Sequence, residues 1–169
     1  MNPLPPTAET HIISMMVANK PGVLVRVALV FARRAYNIDS LVVSPSINPK
    51  FSRMTITAKG DPGILEQIIR NLNKLVDVLH ASEHDTSLSV DRELALLKVK
   101  ATPAAKTAVA RHCKKFHAKI VDATENTLVI AQSGTTEELD EFENLVKNYT
   151  ILEKVRSGKL LVAKGKETT

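Results

Sequence analysis

The chain of 169 residues has a single cysteine, Cys113, and no tryptophan. One cysteine cannot form a disulfide bond within the chain, so we expect a reducing, cytoplasmic environment. No apolar run comes near the roughly 18 residues that a membrane-spanning helix requires. The first residues also lack the basic and apolar segments of a signal peptide. These absences predict a soluble protein that does not contact a membrane.

Glycine and aromatic residues are scarce, which argues against two classes of binding protein. The six glycines are scattered at turns and form neither the G-x-G-x-x-G nor the G-x-x-x-x-G-K-[ST] pattern of nucleotide-binding loops. Aromatic residues make up 4% of the chain. The strand FSRMTITA at 51–58 carries one of them, where an RNA-recognition domain has several that stack on bases. The net charge of +5 permits nucleic-acid binding, but we expect no nucleic-acid partner.

Cysteine and histidine do not form a convincing catalytic or metal site. Cys113 has His112 and His117 nearby, which permits a nucleophile, but it falls on an apolar helical stripe where cysteine is usually a small buried hydrophobe. His80 and His84 lie where a strand runs into a linker, so their side chains need not converge on a metal. On a helix, His112 and His117 point about 140° apart. We predict no catalytic, metal-binding or cofactor-binding residue in this chain.

The hydrophobic pattern predicts a β-α-β-β-α-β order of elements twice. Strands are indicated by period-2 alternation, and helices by apolar residues at helical spacing with Pro21 or Asp61 at their starts. In the first half we predict strands at 10–18, 38–45, 51–59 and 75–82, and helices at 21–35 and from Pro62. In the second half we predict strands at 93–100, 119–123, 127–132 and 151–155, helices at 103–116 and 136–148, and a further strand at 160–163.

This order predicts an α+β protein made of two tandem ferredoxin-like (βαββαβ) domains. The polar segment from Glu83 to Asp91 would join them. The predicted bounds are a disordered tail at 1–9, a first domain at 10–85, a linker at 86–92, a second domain at 93–163 and a tail at 164–169.

The first helix is apolar on more than one face. A helical projection assigns five residues to the stripe that covers the sheet: Leu24, Val27, Ala28, Phe31 and Ala35. A second apolar strip consists of Val25, Leu29 and Ala32. Because a helix on a small sheet needs only one buried face, the second strip indicates contact with a partner. The alternative is contact with the second half of the same chain.

The start of this helix, Asn19-Lys20-Pro21-Gly22, has the chemistry of an anion site. Free N–H groups around Gly22, Val23 and Leu24, together with the helix dipole, favour a carboxylate, and a glycine lets a ligand approach the backbone. Asn19 adds a donor and an acceptor. The same residues are also ordinary capping and turn chemistry, so both interpretations stay open.

Several segments together resemble the small regulatory subunit family of acetohydroxyacid synthase, also called acetolactate synthase. They are N-K-P-G-V-L at 19–24, Y-N-I-D-S-L at 36–41, S-R-M-T-I at 52–56, K-L-V-D-V-L at 74–79 and R-E-L-A-L-L-K-V at 92–99. The resemblance covers about residues 10 to 163. It implies that the first domain is an ACT domain, which binds effector and forms a homodimer, followed by a second ferredoxin-like domain.

The resemblance also implies a function. Members of this family have no catalysis of their own; they bind a branched-chain amino acid, typically valine, between two ACT domains. They activate a catalytic large subunit and make it sensitive to feedback inhibition in branched-chain amino-acid biosynthesis. The large subunit makes acetolactate from pyruvate, and thiamine diphosphate, magnesium and FAD are expected there rather than in this chain.

Matching by position implies the effector-binding residues. Asn19 and the backbone of Gly22, Val23 and Leu24 match the effector loop, and Asn37 and Ile38 match the segment from the opposing chain. Three positions depart from the family pattern: Val25 in place of a frequent serine, Ala35 in place of a glycine that ends the helix, and Ser44 in place of alanine.

Three alternatives remain at this point. An ACT-type sensor of amino acids could act on a different enzyme, an RNA-binding module could share the same element order, and an enzyme could use Cys113. The choice of effector is also open.

Overall fold

The computed structural model describes residues 9–100 and 102–165. The chain divides into two compact units: the first runs to Asp91 and takes up the chain again from Gly158, and the second is Arg92–Ser157. The predicted α+β class with two βαββαβ units is confirmed.

The first unit contains a four-stranded sheet and two helices. Its elements are β1 (Glu9–Ala18), α1 (Val23–Ala32), β2 (Ile38–Pro45), β3 (Phe51–Gly60), α2 (Pro62–Leu72) and β4 (Val78–Glu83). The strand order is β2-β3-β1-β4. The antiparallel pair β1–β3 extends from Glu9 opposite Gly60 to Ala18 opposite Phe51. The two long strands therefore form the centre of the sheet, and β2 and β4 are its edges.

One face of this sheet carries the core of the first unit. Ile13, Met15 and Val17 alternate along β1 and are buried with Met54 and Ile56 of β3. The helices add further buried residues to the same cluster: Val23, Val27, Val30 and Phe31 from α1, and Leu65, Ile68 and Leu72 from α2. Both helices therefore pack on one face, as period-2 strands and amphipathic helices require.

The second unit repeats the arrangement. Its elements are β5 (Ser89–Lys100), which starts in the first unit, α3 (Pro103–Lys115), β6 (Lys119–Ala123), β7 (Thr127–Gly134), α4 (Thr136–Val146) and β8 (Ile151–Arg156). The strand order is β6-β7-β5-β8. Leu97, Val99 and Ile130 of the sheet are buried with Cys113 of α3 and Phe142 of α4. The short strand β9 (Leu160–Ala163) pairs with β5.

The segment that begins at Gly158 belongs to the first unit, whereas the predicted second domain extends to residue 163. Gly158 has φ +77°, and a Cβ built on it would lie 2.9 Å from the Cβ of Ser40 on β2. Lys159 Nζ then lies 2.7 Å from the Asp91 carboxylate. The chain therefore returns to the first unit at Gly158. A glycine is needed there because a side chain would collide with β2.

The predicted bounds of α1 were too wide. The structure starts the helix at Val23 rather than Pro21 and ends it at Ala32 rather than Ala35. Gly22 has φ +84° and Ala35 has φ +52°, and neither value occurs within a right-handed helix. Both ends are therefore set by left-handed residues, which hydrophobic spacing does not reveal.

The side chains that α1 buries also differ from the prediction. Leu24 and Ala35, assigned to the core stripe, are exposed, while Val23 and Val30 are buried in their place. The turn at Gly22 sets which side chain of the first helical turn faces the sheet. The large apolar side chains that α1 exposes are accordingly Leu24, Val25 and Leu29, and Ala32 of the predicted second strip is exposed as well.

The strand β4 starts at Val78 rather than at Leu75. Val78 N donates to Leu75 O at 3.0 Å, so the residues between them form a turn. Asp77 therefore lies in the turn that precedes β4.

We predict that Ala35→Gly stabilises the protein. Ala35 N donates to Ala32 O and Tyr36 N donates to Phe31 O, so the left-handed residue completes the end of α1. The Cβ of an alanine disfavours a left-handed backbone, and a glycine has no Cβ. We therefore expect the free energy of unfolding to increase by about 0.5–1 kcal/mol. Urea denaturation measures it.

The matched control is Ala32→Gly, three residues earlier and within the helix. It should lose about 1 kcal/mol, because glycine is a poor helix former. A loss of stability in Ala35→Gly as well would contradict the left-handed assignment.

Candidate effector site at the first strand-to-helix turn

The segment 19–22 connects β1 to α1 and is held against the hairpin between β2 and β3. Asn19 N donates to Lys50 O at 2.8 Å, and the Asn19 side-chain amide donates to Pro49 O at 3.0 Å. One donor of the predicted site residue is therefore used to hold the loop. The side-chain oxygen of Asn19 is a further hydrogen-bond acceptor, and Asn19 is exposed.

The first turn of α1 has no side-chain cap. Gly22 occupies the N-cap position, no side chain bonds to the first N–H groups, and the first turn contains no acidic residue. By contrast, Asp61 caps α2 and Thr135 caps α4 through their side chains. Uncapped N–H groups and the positive end of the helix dipole make this turn favourable for an anion.

The residues of this first turn divide between backbone and side-chain roles. Val23 is 3% exposed, and its side chain belongs to the core, so its backbone N–H is the only group that it could offer to a ligand. Leu24 is 44% exposed and offers an aliphatic side chain beside the helix start. The use of the backbone of Gly22, Val23 and Leu24 in binding stays a prediction.

Asn37 and Ile38 lie at the other end of α1. Asn37 is exposed, and its side-chain amide donates to Asp39 Oδ1 at 3.2 Å. Ile38 starts β2 and packs partly against the core. A ten-residue helix is about 15 Å long, so one chain does not bring this pair together with Asn19 and Gly22. The six predicted residues therefore lie in two groups at opposite ends of α1, which would each be half of a site, and their role stays a prediction.

Asp77 gives the loop a charged anchor that was not among the predicted site residues. Its carboxylate lies 2.6 Å from Lys20 Nζ and also pairs with the guanidinium of Arg26. The hydrogen bond from Lys20, with a further contribution from Arg26, holds the pKa of Asp77 below its usual value, although partial desolvation opposes this. Asp77 belongs to the K-L-V-D-V-L segment, but its two partners are distant in sequence and no local pattern indicates them.

Cys113 does not have the environment of a nucleophile. It is 4% exposed, and burial raises the pKa of its thiol. A buried, protonated thiol is unreactive. The prediction of a small buried hydrophobe is confirmed for Cys113.

The histidines do not assemble a metal site either. His84 Nε2 lies 2.6 Å from Ser14 Oγ, and burial, with Arg53 and His80 nearby, lowers the pKa of His84. His112 contacts Tyr149 instead of His117. Within residues 9–100 and 102–165, no three histidine, cysteine or acidic side chains are placed to hold a metal ion.

No helix in the described part of the chain has the length and apolar character to cross a membrane.

Two segments of the chain match two known domain families, and the second match extends past Ser157 into the segment that the structure groups with the first unit. Residues 13–80 match the AHAS small subunit-like ACT domain, and residues 92–165 match the domain described as small subunit of acetolactate synthase. The protein is therefore of the class in which an ACT domain is followed by a second ferredoxin-like domain.

Whole-chain relatives agree. The acetolactate synthase small subunit of Mycolicibacterium smegmatis is 40% identical over 92% of this chain and 92% of its own length. The acetolactate synthase isozyme 3 small subunit of Escherichia coli is 39% identical over 92% and 96%. The crystal structure of the acetolactate synthase small subunit from Thermotoga maritima superposes with a TM-score of 0.85 at 34% identity, covering 94% of this chain and 99% of that one. The chain belongs to the acetolactate synthase small-subunit family.

Proposed function

We propose that this chain is the regulatory subunit of a cytoplasmic acetolactate synthase, which binds valine, activates the catalytic large subunit and makes it sensitive to feedback inhibition. The observation that carries this proposal is the uncapped start of α1, opened by a left-handed glycine, in an ACT domain of this family. The large subunit supplies the catalysis, and thiamine diphosphate, magnesium and FAD are bound there.

The geometry at the start of α1 suits an α-amino acid. The N–H groups of Gly22, Val23 and Leu24 would donate hydrogen bonds to the carboxylate. The positive end of the helix dipole favours its negative charge. The oxygen of the Asn19 side chain is an acceptor for the ammonium group. The exposed Leu24 side chain offers aliphatic contact for an isopropyl group.

The opposite placement of the two half-sites supports a homodimer. If two α1 helices lie antiparallel across a two-fold axis, the start of one comes close to the end of the other, and Asn37 and Ile38 of one chain meet Asn19 of its partner. The apolar surface of α1, Leu24, Val25 and Leu29, would be covered by the same contact. A complete effector site would then require two chains.

Regulation through this site requires a coupling free energy. Valine can change the activity of the large subunit only if it binds one arrangement of the regulatory dimer more tightly than another. Because the only cysteine is buried and no catalytic group is predicted, the effect on catalysis would pass through the contact with the large subunit. We propose no nucleic-acid or membrane partner.

Reconstitution with a large subunit tests the proposal as a whole. We expect the two chains to co-purify, this chain to increase the rate of acetolactate formation from pyruvate, and added valine to decrease that rate. The large subunit alone, with and without valine, is the control. Binding of valine without any effect on the large subunit would favour the alternative, an ACT-type sensor that acts on a different enzyme.

A substitution at Gly22 tests the position of the carboxylate. We expect Gly22→Asp to weaken valine binding by at least about a hundredfold, because it puts a negative charge where the carboxylate is bound. A Cβ at Gly22 would lie 3.3 Å from Arg26 Nη1, so the new carboxylate would also pair with this guanidinium. Calorimetry with valine, leucine and isoleucine measures the affinities.

Gly22→Asn is the matched control, because asparagine is similar in size, tolerates a left-handed backbone and carries no charge. It should lose much less affinity than Gly22→Asp. Equal affinities of the wild type and Gly22→Asp would contradict the assignment of this loop as the carboxylate site. If the wild type binds none of the three amino acids at millimolar concentration, the proposal that a branched-chain amino acid is the effector fails.

A charge on the exposed face of α1 tests the dimer. Val25 is 61% exposed in the single chain, and Val25→Asp should raise the dissociation constant of the dimer by a factor on the order of a hundred, since an unpaired charge is costly in an apolar contact. Light scattering measures the mass, and calorimetry should find weaker valine binding. Leu152→Asp, at a comparably exposed position on β8, should stay dimeric. A Val25→Asp dimer of normal stability would contradict the proposed interface.

A further inference from the structure

Asp77 is a buried acidic residue that contacts the loop preceding α1. It lies in the turn before β4 and is 8% exposed. Its backbone oxygen accepts a hydrogen bond of 2.8 Å from Ala18 N, the last residue of β1. The point at which the loop leaves the sheet is therefore fixed by Asp77.

The Asp77 carboxylate also holds the loop and the helix that follows. Lys20 is in the middle of the loop, and Arg26 is one turn into α1. The side chains of Lys20 and Arg26 are 57% and 45% exposed, whereas that of Asp77 is 10% exposed. Two largely exposed cations thus converge on one sheltered carboxylate, which anchors them.

Arg26 connects this anchor to the start of α1. Its guanidinium lies so close to Gly22 that a Cβ there would be 3.3 Å from Nη1. By pairing with the guanidinium, Asp77 determines where this cation lies relative to the first N–H groups of the helix. Asp77 therefore fixes the loop at three points. Its backbone oxygen holds Ala18, just before the loop, and its carboxylate holds Lys20 within the loop and Arg26 beyond it.

We infer that Asp77 is a positioning residue for the effector site: it holds the segment 19–22 and the first turn of α1 in the arrangement that receives a carboxylate. This inference rests on the proposed function. The competing role is purely electrostatic, and it has the opposite sign. If Asp77 only repelled an anion, its removal would leave Lys20 and Arg26 unneutralised and would strengthen binding of the effector carboxylate.

Asp77→Asn separates these roles, because it removes the charge and keeps the size and the backbone contact. We expect the Kd of valine to rise by about five- to tenfold as the loop loses its preorganised arrangement. Asp77→Glu restores the charge and should recover part of the affinity. The control is Asp85→Asn, in the same unit, where the Asp85 side chain accepts a hydrogen bond of 2.7 Å from Ser87 N, away from the loop. Its valine affinity should equal that of the wild type.

A second measurement does not depend on the effector. Hydrogen exchange of the backbone amides of residues 19–24 in the free protein should be faster in Asp77→Asn than in the wild type and unchanged in Asp85→Asn. If Asp77→Asn fails to fold, Lys20→Met removes the partner in the loop while Arg26 still pairs with Asp77, and the same increase in exchange is expected at residues 19–22.

The outcomes decide two questions separately. Valine binding by Asp77→Asn that equals or exceeds that of the wild type, or unchanged exchange at 19–24, would overturn the positioning role. If the wild type binds no branched-chain amino acid, the proposed function fails, and the exchange rates alone then decide whether Asp77 orders the loop.

Discussion

The left-handed backbone at Gly22 is the constraint on which the first unit depends. The chain has four residues in which to leave β1 and enter α1, and Gly22 completes this turn at φ +84°. The turn sets the rotation of the helix, so that Val23 enters the core while Leu24 and Val25 face outward. It also leaves the first N–H groups without a side-chain cap. One residue therefore accounts for the core contact, the exposed apolar face and the polar helix start.

The same constraint keeps the two groups of proposed effector-binding residues apart within one chain. The helix that begins at Gly22 separates its two polar ends by its own length, and its outward face is apolar along that length. A second copy related by a two-fold axis would cover the apolar face and bring opposite ends together in one contact. Effector binding and association of the subunits would then be parts of one equilibrium, and a ligand held between chains would stabilise the pair by mass action.

Much of the fold could be predicted, because alternation and helical spacing are local properties. The strands β1 and β3 and the start of α2 at Pro62 follow directly from such patterns. The ends of α1 and the burial of Leu24 were predicted wrongly, since the sign of φ at Gly22 and Ala35 is not visible in hydrophobic spacing. The loop at Asn19 could be recognised from its residue types and the family motif. Asp77 could not, because its contacts with Lys20 and Arg26 arise only when the turn before β4 reaches the end of β1.

The return of the chain at Gly158 makes the second unit an insertion within the first. The first unit is interrupted after Asp91 and is completed by residues that follow Ser157, among them the buried Leu161. Two covalent connections, rather than one, therefore join the units, and both leave from β5 or its neighbour β8. A shortened chain that stops at Ser157 would lack part of the first unit, so the two halves cannot be separated by a single cut.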